Sequence, residues 1–139
     1  YADMRARNRG HILNMSSTVG LQPVVDMAAY AATKAFVDTF SLGLSAEARY
    51  AGGQVTVTTV YPYATRTNFR HVAGMAEHRL FRNPFTLTPE RVARQAYGAM
   101  QRGAHRVILP RWGSGVWDLL YRLMPIRARI ALVKWGMRT

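Results

Sequence analysis

The sequence predicts an α/β fold built on a parallel sheet, and three stretches carry that prediction. His11 to Ser17 is a short apolar run bounded by Gly10 and by serines. Gln54 to Tyr61 is a second short run, rich in β-branched residues. Between them, Met27 to about Tyr50 is alanine-rich in its first half and carries Phe36, Phe40 and Leu44 at helical spacing. Strand, long helix and strand in about fifty residues form a βαβ unit, which implies a right-handed crossover between parallel strands.

Bulk properties set outer limits. The chain has 139 residues and 49% apolar content, enough for one domain with a core and too apolar for disorder. It has no cysteine, which removes disulfides and thiolate metal sites and favours a reducing, cytoplasmic setting. No uncharged apolar run reaches the length of a spanning helix, and the first residues lack the apolar region of a signal peptide. The net charge is +12, from 17 Arg and 2 Lys against 7 acidic residues. A solvated arginine surface accounts for most of it, while nucleic acid or an anionic membrane are the partners such a balance raises.

In order, residues 1–9 read as the end of a helix stopped by Gly10. His11 to Ser17 reads as a strand covered on both faces. Thr18 to Asp26 is a loop broken by Gly20 and Pro23. Asp26 is placed to cap the long helix, which Gly52-Gly53 ends. Thr67 to Thr86 is irregular, with room for one or two short helices and the length of a lid or specificity segment. Thr88-Pro89-Glu90 is a helix start, with Thr as cap and Pro at the first position. That helix runs to about Arg102 with Val92, Ala96 and Met100 on one face, and Gly103 stops it. Arg106 to Leu109 is a third strand. Residues 1–113 form one unit in this reading. Residues 114–139 form an amphipathic tail of two helices joined at Pro125, apolar positions such as Trp117, Leu120, Ile126 and Ile130 alternating with Arg122, Arg127, Arg129, Lys134 and Arg138.

The chemistry points to Ser17, Tyr30 and Lys34. Tyr30 and Lys34 are four apart and share a helix face one turn apart. Ser17 closes the first strand, and Pro62 follows the second. In open α/β sheets both strand ends face one crevice. A tyrosine with its ordinary pKa near 10 is a poor base at neutral pH. A nearby ammonium favours the phenolate, and a shift of about 3 units needs roughly 4 kcal/mol. Such a tyrosine could exchange a proton with an alcohol or carbonyl, with a serine hydroxyl orienting the same oxygen. Any hydride would come from a bound cofactor. A lone Tyr-x-x-x-Lys is weak, because tyrosines usually pack and lysines are usually solvated. Its occurrence thirteen residues after a strand ending in Ser-Ser, and before a strand ending in Pro, is far rarer.

This arrangement resembles the C-terminal half of a short-chain dehydrogenase/reductase. Gly10 to Lys34 (GHILNMSSTVGLQPVVDMAAYAATK) is similar to that family's serine strand and catalytic helix. The resemblance implies half of a Rossmann-like doubly wound sheet, with Ser17 as catalytic serine and Tyr30 as general acid/base. Lys34 would lower the tyrosine pKa and bind the nicotinamide ribose of NAD or NADP. Val60 to Thr67 is similar to the loop after the next strand, so Pro62, Thr65 and Thr67 would contact the cofactor, although Tyr63 stands where the family has glycine. The family's Gly-rich phosphate loop has no counterpart here, so the cofactor-binding half is missing from this stretch. The expected function is an NAD(P)-dependent oxidoreductase of an apolar or lipid-like alcohol or carbonyl compound, carried here as a partial domain. The alternative is a non-catalytic remnant serving association.

Partners follow the same logic. The family's habit of dimerising through the tyrosine helix implies a homo-oligomer, and Phe36, Phe40 and Leu44 suit either that contact or the core. His11, His71, His78 and His105 show no metal spacing. Trp112, Trp117 and Trp135 with nearby Arg are better explained by an amphipathic surface than by nucleic-acid stacking. The tail either covers the substrate cavity or a dimer contact, or lies on an anionic membrane as a peripheral anchor.

Overall fold

The computed structural model describes residues 1–74, 86–110, 119–120 and 123–137. Helix α1 (Ala2–Ala6) leads into strand β1 (Gly10–Met15), and a 3₁₀ turn (Thr18–Leu21) precedes the long helix α2 (Ala28–Tyr50). Strand β2 (Val55–Pro62), the short helix α3 (Phe69–Val72), helix α4 (Pro89–Gln101), strand β3 (Arg106–Leu109) and helix α5 (Ile126–Met137) follow. The three strands form one parallel sheet in the order β1-β2-β3. Gly10 pairs with Val55 at one end of β1 and Met15 with Val60 at the other.

The central strand decides where the core lies. Val57, Thr58, Thr59, Val60 and Tyr61 are all essentially inaccessible, as expected for a parallel strand covered on both faces. Alternation sends neighbouring side chains to opposite sides. Val60 joins Leu87, Val92, Ala96, Ala99, Val107 and Leu109 in the apolar cluster beneath α4. Tyr61 faces α2, where its hydroxyl donates to Asp38 and its ring lies 4.8 Å from the Arg106 guanidinium carbon. Each buried aliphatic side chain contributes about 1.5–3 kcal/mol. Helix α2 approaches the sheet through small residues, with Ala31, Ser41, Ser45 and Ala48 buried. Ser41 donates to Val37 O at 2.6 Å and accepts from Asn14 Nδ2 at 2.8 Å, so the polar atoms of this close packing are paired.

Several local expectations change. Strand β1 is an edge strand of this sheet and only half covered, with Met15 at 42% exposure; Ser16 and Ser17 lie beyond its end yet are buried. Helix α1 stops at Ala6, with Asn8 taking the left-handed turn at φ 51°. Gly10 instead gives Met4 room, since a Cβ there would meet the Met4 sulfur at 2.5 Å. Asp26 does not cap α2: it adopts φ 62°, and the cap position is Met27, without a side-chain bond. Thr88 does cap α4, accepting from Arg91 N at 3.3 Å. The buried face of α4 is Val92, Ala96 and Ala99 rather than Met100. Phe36 and Phe40 are not core residues: they stack on each other at 6.1 Å on the outer face of α2, 70% and 54% exposed.

The irregular segment is described as far as Gly74, and His78 lies outside the described residues. Pro125 precedes α5 as expected. Trp112 and most of the first expected tail helix, including Trp117, fall outside them too. Among the described residues, no helix is long and apolar enough to cross a membrane.

Candidate active site

The carboxyl ends of β1 and β2 open into a cavity of about 900 Å³. Ser17, Tyr30, Lys34, Pro62, Thr65 and Thr67 all line it. Every residue singled out from the sequence therefore meets at one place, although the residues come from three separate segments.

Each is positioned by identifiable contacts. Ser17 has extended backbone and caps the 3₁₀ turn, its Oγ accepting from Val19 N at 3.2 Å. The ordinary capping role and a place in the cavity thus coincide. Its hydroxyl also lies 3.5 Å from Pro62 O, a long contact that leaves the proton able to turn to the Tyr30 oxygen. Ser16 also lines the cavity and donates to the Lys34 carbonyl at 2.8 Å. Lys34 Nζ returns to the strand, donating to Met15 O at 3.0 Å. Gly20 packs directly on the same helix, since a Cβ there would come within 2.7 Å of the Lys34 carbonyl carbon. The strand end, the turn and the helix are therefore stitched together around Lys34.

Tyr30 stacks on Phe69 of α3 with ring centroids 4.9 Å apart, and the Lys34 ammonium lies 5.7 Å from its ring centroid. Burial pushes the Tyr30 pKa above its ordinary value, and the Ser17 hydroxyl partly offsets this by favouring the phenolate. The ammonium sits beside the ring and donates to the Met15 carbonyl, and in the chain alone burial sets the direction.

The loop after β2 is held by backbone pairing. Tyr63 N donates to Leu109 O, Leu87 N to Ala64 O, and Arg66 N to Leu87 O, each at 2.9 Å. Thr65 Oγ1 donates to Tyr63 O at 2.9 Å. Tyr63 lines the cavity, and burial raises its pKa as well. Sequence reasoning missed Phe69 and the Met15 carbonyl. A lone aromatic in an irregular segment and a main-chain oxygen carry no pattern that would have marked them.

The family model for short chain dehydrogenases matches residues 1–77, more than half of the chain. The chain belongs to the short-chain dehydrogenase family. Among members with curated names, it is 38% identical over 97 residues to a very-long-chain 3-oxoacyl-CoA reductase of Anas platyrhynchos, covering 70% of this chain and 28% of that protein. It is 38% identical over 108 residues to an NADP-dependent 3-hydroxy acid dehydrogenase of Escherichia coli, covering 73% and 42%. A short-chain dehydrogenase from Sphingobium yanoikuyae, solved in complex with NADPH, superposes with a TM-score of 0.70 at 30% identity, over 86% of this chain and 44% of that one. This short-chain dehydrogenase chain thus spans less than half the length of these relatives.

Proposed function

We propose that this chain supplies the proton-transfer part of an NAD(P)-dependent oxidoreductase acting on an apolar alcohol or carbonyl compound. The observation that supports it most directly is the convergence of Ser17, Tyr30 and Lys34 with the Pro62–Thr67 loop on one cavity. A phenol is protonated at neutral pH and burial raises the Tyr30 pKa further, so in this reading it donates to a carbonyl oxygen, or receives the proton back in the reverse direction. Ser17 hydrogen-bonds the same oxygen and steadies its charge. The remaining wall is largely apolar, with Leu13, Met27, Phe69, Val92 and Tyr97 facing the space, which fits an apolar substrate.

The donor set fits the nicotinamide-ribose end of a dinucleotide. An ammonium has three N–H donors; one of Lys34's goes to Met15 O, and the others suit a ribose diol. In this reading backbone groups near Thr65 hold the carboxamide and Thr67 reaches the cofactor's phosphates or amide, and Pro62, Thr65 and Thr67 all line the cavity. A bound nicotinamide would supply the hydride. Among the described residues, no Gly-rich turn of the kind that cradles a pyrophosphate joins a strand to a helix, so the fit extends to the nicotinamide end.

The test joins this chain to the part of the Escherichia coli relative that the match leaves uncovered and measures reduction of an apolar ketone with NADPH. Tyr30→Phe should lower kcat by about a hundredfold or more with an unchanged melting temperature; an equally active variant overturns the assignment. Thermal-shift titration of the joined protein with NADPH and NADH supplies a second measurement. No shift with either nucleotide there favours a non-catalytic association module. Tyr63 speaks for that second reading, since its ring occupies the cavity wall where the family's loop has a glycine.

A further inference from the structure

We infer that Tyr63 is a specificity-determining residue: its hydroxyl donates to a second acceptor oxygen of the substrate, while Ser17 and Tyr30 hold the reacting one. The fold pins Tyr63 through both of its main-chain groups. Its N–H donates to Leu109 O and its carbonyl accepts from Thr65 Oγ1, each at 2.9 Å. With those groups taken, what Tyr63 offers the cavity it lines is the phenol. That hydroxyl bonds to no group among the described residues. Unlike the unbonded Tyr1 and Thr58 oxygens, which are sealed in, it stays reachable from open space. Tyr61, two residues earlier, shows the opposite arrangement, with its hydroxyl engaged by Asp38. A half-buried donor is costly to leave unbonded, and a ligand in the cavity can supply the acceptor. Burial raises the Tyr63 pKa, so at neutral pH the group keeps its proton and serves as a donor.

Its neighbours place this donor beside the chemistry. The carbonyl of Pro62, the preceding residue, lies 3.5 Å from Ser17 Oγ and 3.4 Å from Thr18 Oγ1. A substrate that satisfies both Tyr30 and Tyr63 therefore presents two oxygens close together, with the apolar wall taking the rest of it. The class that meets this is a keto ester or keto thioester with an apolar chain, rather than a simple ketone. Tyr97 is another unbonded phenol of the same cavity, but it is 58% exposed, so a bond from it to substrate replaces one to water. The inference rests on the oxidoreductase reading of the cavity and gives the Tyr63 ring a task within it.

The test compares, in the joined protein, an apolar keto ester with the plain ketone of the same chain length. Tyr63→Phe removes one oxygen and keeps the ring. It should lower the ratio of kcat/KM for the ester to that for the ketone by about fivefold to tenfold. Tyr97→Phe should move that ratio less. An unchanged ratio in Tyr63→Phe, or an equal fall in Tyr97→Phe, overturns the inference. Infrared spectra of the ester, isotopically labelled at its ester carbonyl, give a readout that needs no turnover. Bound to the joined protein, the labelled band should lie at lower frequency than when bound to Tyr63→Phe. The same band position in both overturns the inference even in an active enzyme. A band lowered by Tyr63 in a protein that reduces neither compound supports the donor and removes the oxidoreductase reading instead.

Discussion

Lys34 Nζ donates to the carbonyl of Met15, nineteen residues earlier, at 3.0 Å. That bond crosses from helix α2 to the end of the edge strand. Ser16, the next residue, closes the loop by donating to the Lys34 carbonyl at 2.8 Å. The lysine therefore has a structural task whatever it does for a cofactor. Lys34→Ala should lower unfolding stability by about 0.5–1.5 kcal/mol, the range for a single hydrogen bond, here at a solvent-facing site. Urea denaturation measures it, and an unchanged midpoint would show the bond to be neutral.

Gly20→Ala should cost about 1–3 kcal/mol, as overpacking does. The added Cβ would meet main-chain atoms of Lys34 and Ala35 within 3.0 Å, and backbone cannot swing aside as a side chain can. Gly10→Ala is the informative control, because the atoms it meets belong to the flexible Met4 side chain. Thermal melting should rank Gly20→Ala well below Gly10→Ala.

Alkaline stability should be governed by buried tyrosines. Tyr61 is pushed up to about 12, chiefly by burial and then by its bond to Asp38. An unfolded tyrosine titrates near 10. Below pH 10 both states are protonated and the full stability is present. Between about pH 10 and 12 the unfolded chain ionises first, so stability falls, by about 2 kcal/mol for this residue. Tyr61→Phe should flatten that fall while lowering stability at neutral pH by about 1–3 kcal/mol, since Asp38 loses its donor. Denaturation midpoints across the alkaline range would show it, and an unchanged slope would count against the assignment.

The raised Tyr30 pKa also fixes a direction for rate. In the chimeric enzyme, carbonyl reduction should be level at neutral pH and fall as Tyr30 ionises above pH 10, whereas alcohol oxidation should rise over the same span. Mirrored pH profiles that vanish together in Tyr30→Phe would support the phenol as the proton carrier. Profiles breaking near neutrality would show that a bound cofactor or substrate lowers it by several units.

Much of this was legible before any coordinates, because it depends on periodicity and punctuation. The β-branched run Gln54 to Tyr61, the Thr88-Pro89 start and the Gly103 stop are local signals, and local physics honours them. The site was legible because Tyr30 and Lys34 share a helix and strand ends share a crevice. The electrostatics were not. Whether an ammonium lowers a phenol depends on where its Nζ points, and the Met15 carbonyl that directs it has no mark in the sequence. Phe36 and Phe40 show the same limit: spacing of four defines a stripe, but only the packing of Ser41, Ser45 and Ala48 reveals which side of α2 meets the sheet.

Tyr30, Lys34 and Asp38 follow one another on α2 at steps of four, and Asp38 receives the hydroxyl of Tyr61, the residue before Pro62. The Tyr30 phenol thus shares its helix face with a residue, eight positions on, that is bonded to the central strand. For engineering, the site is not portable as three side chains. A graft of Ser17, Tyr30 and Lys34 onto another scaffold would lose its aim unless the helix through Asp38 and the strand through Tyr61 travelled with it. An insertion of one residue between Lys34 and Asp38 would turn the helix by about 100° and separate the chemistry from its anchor without touching a reacting group.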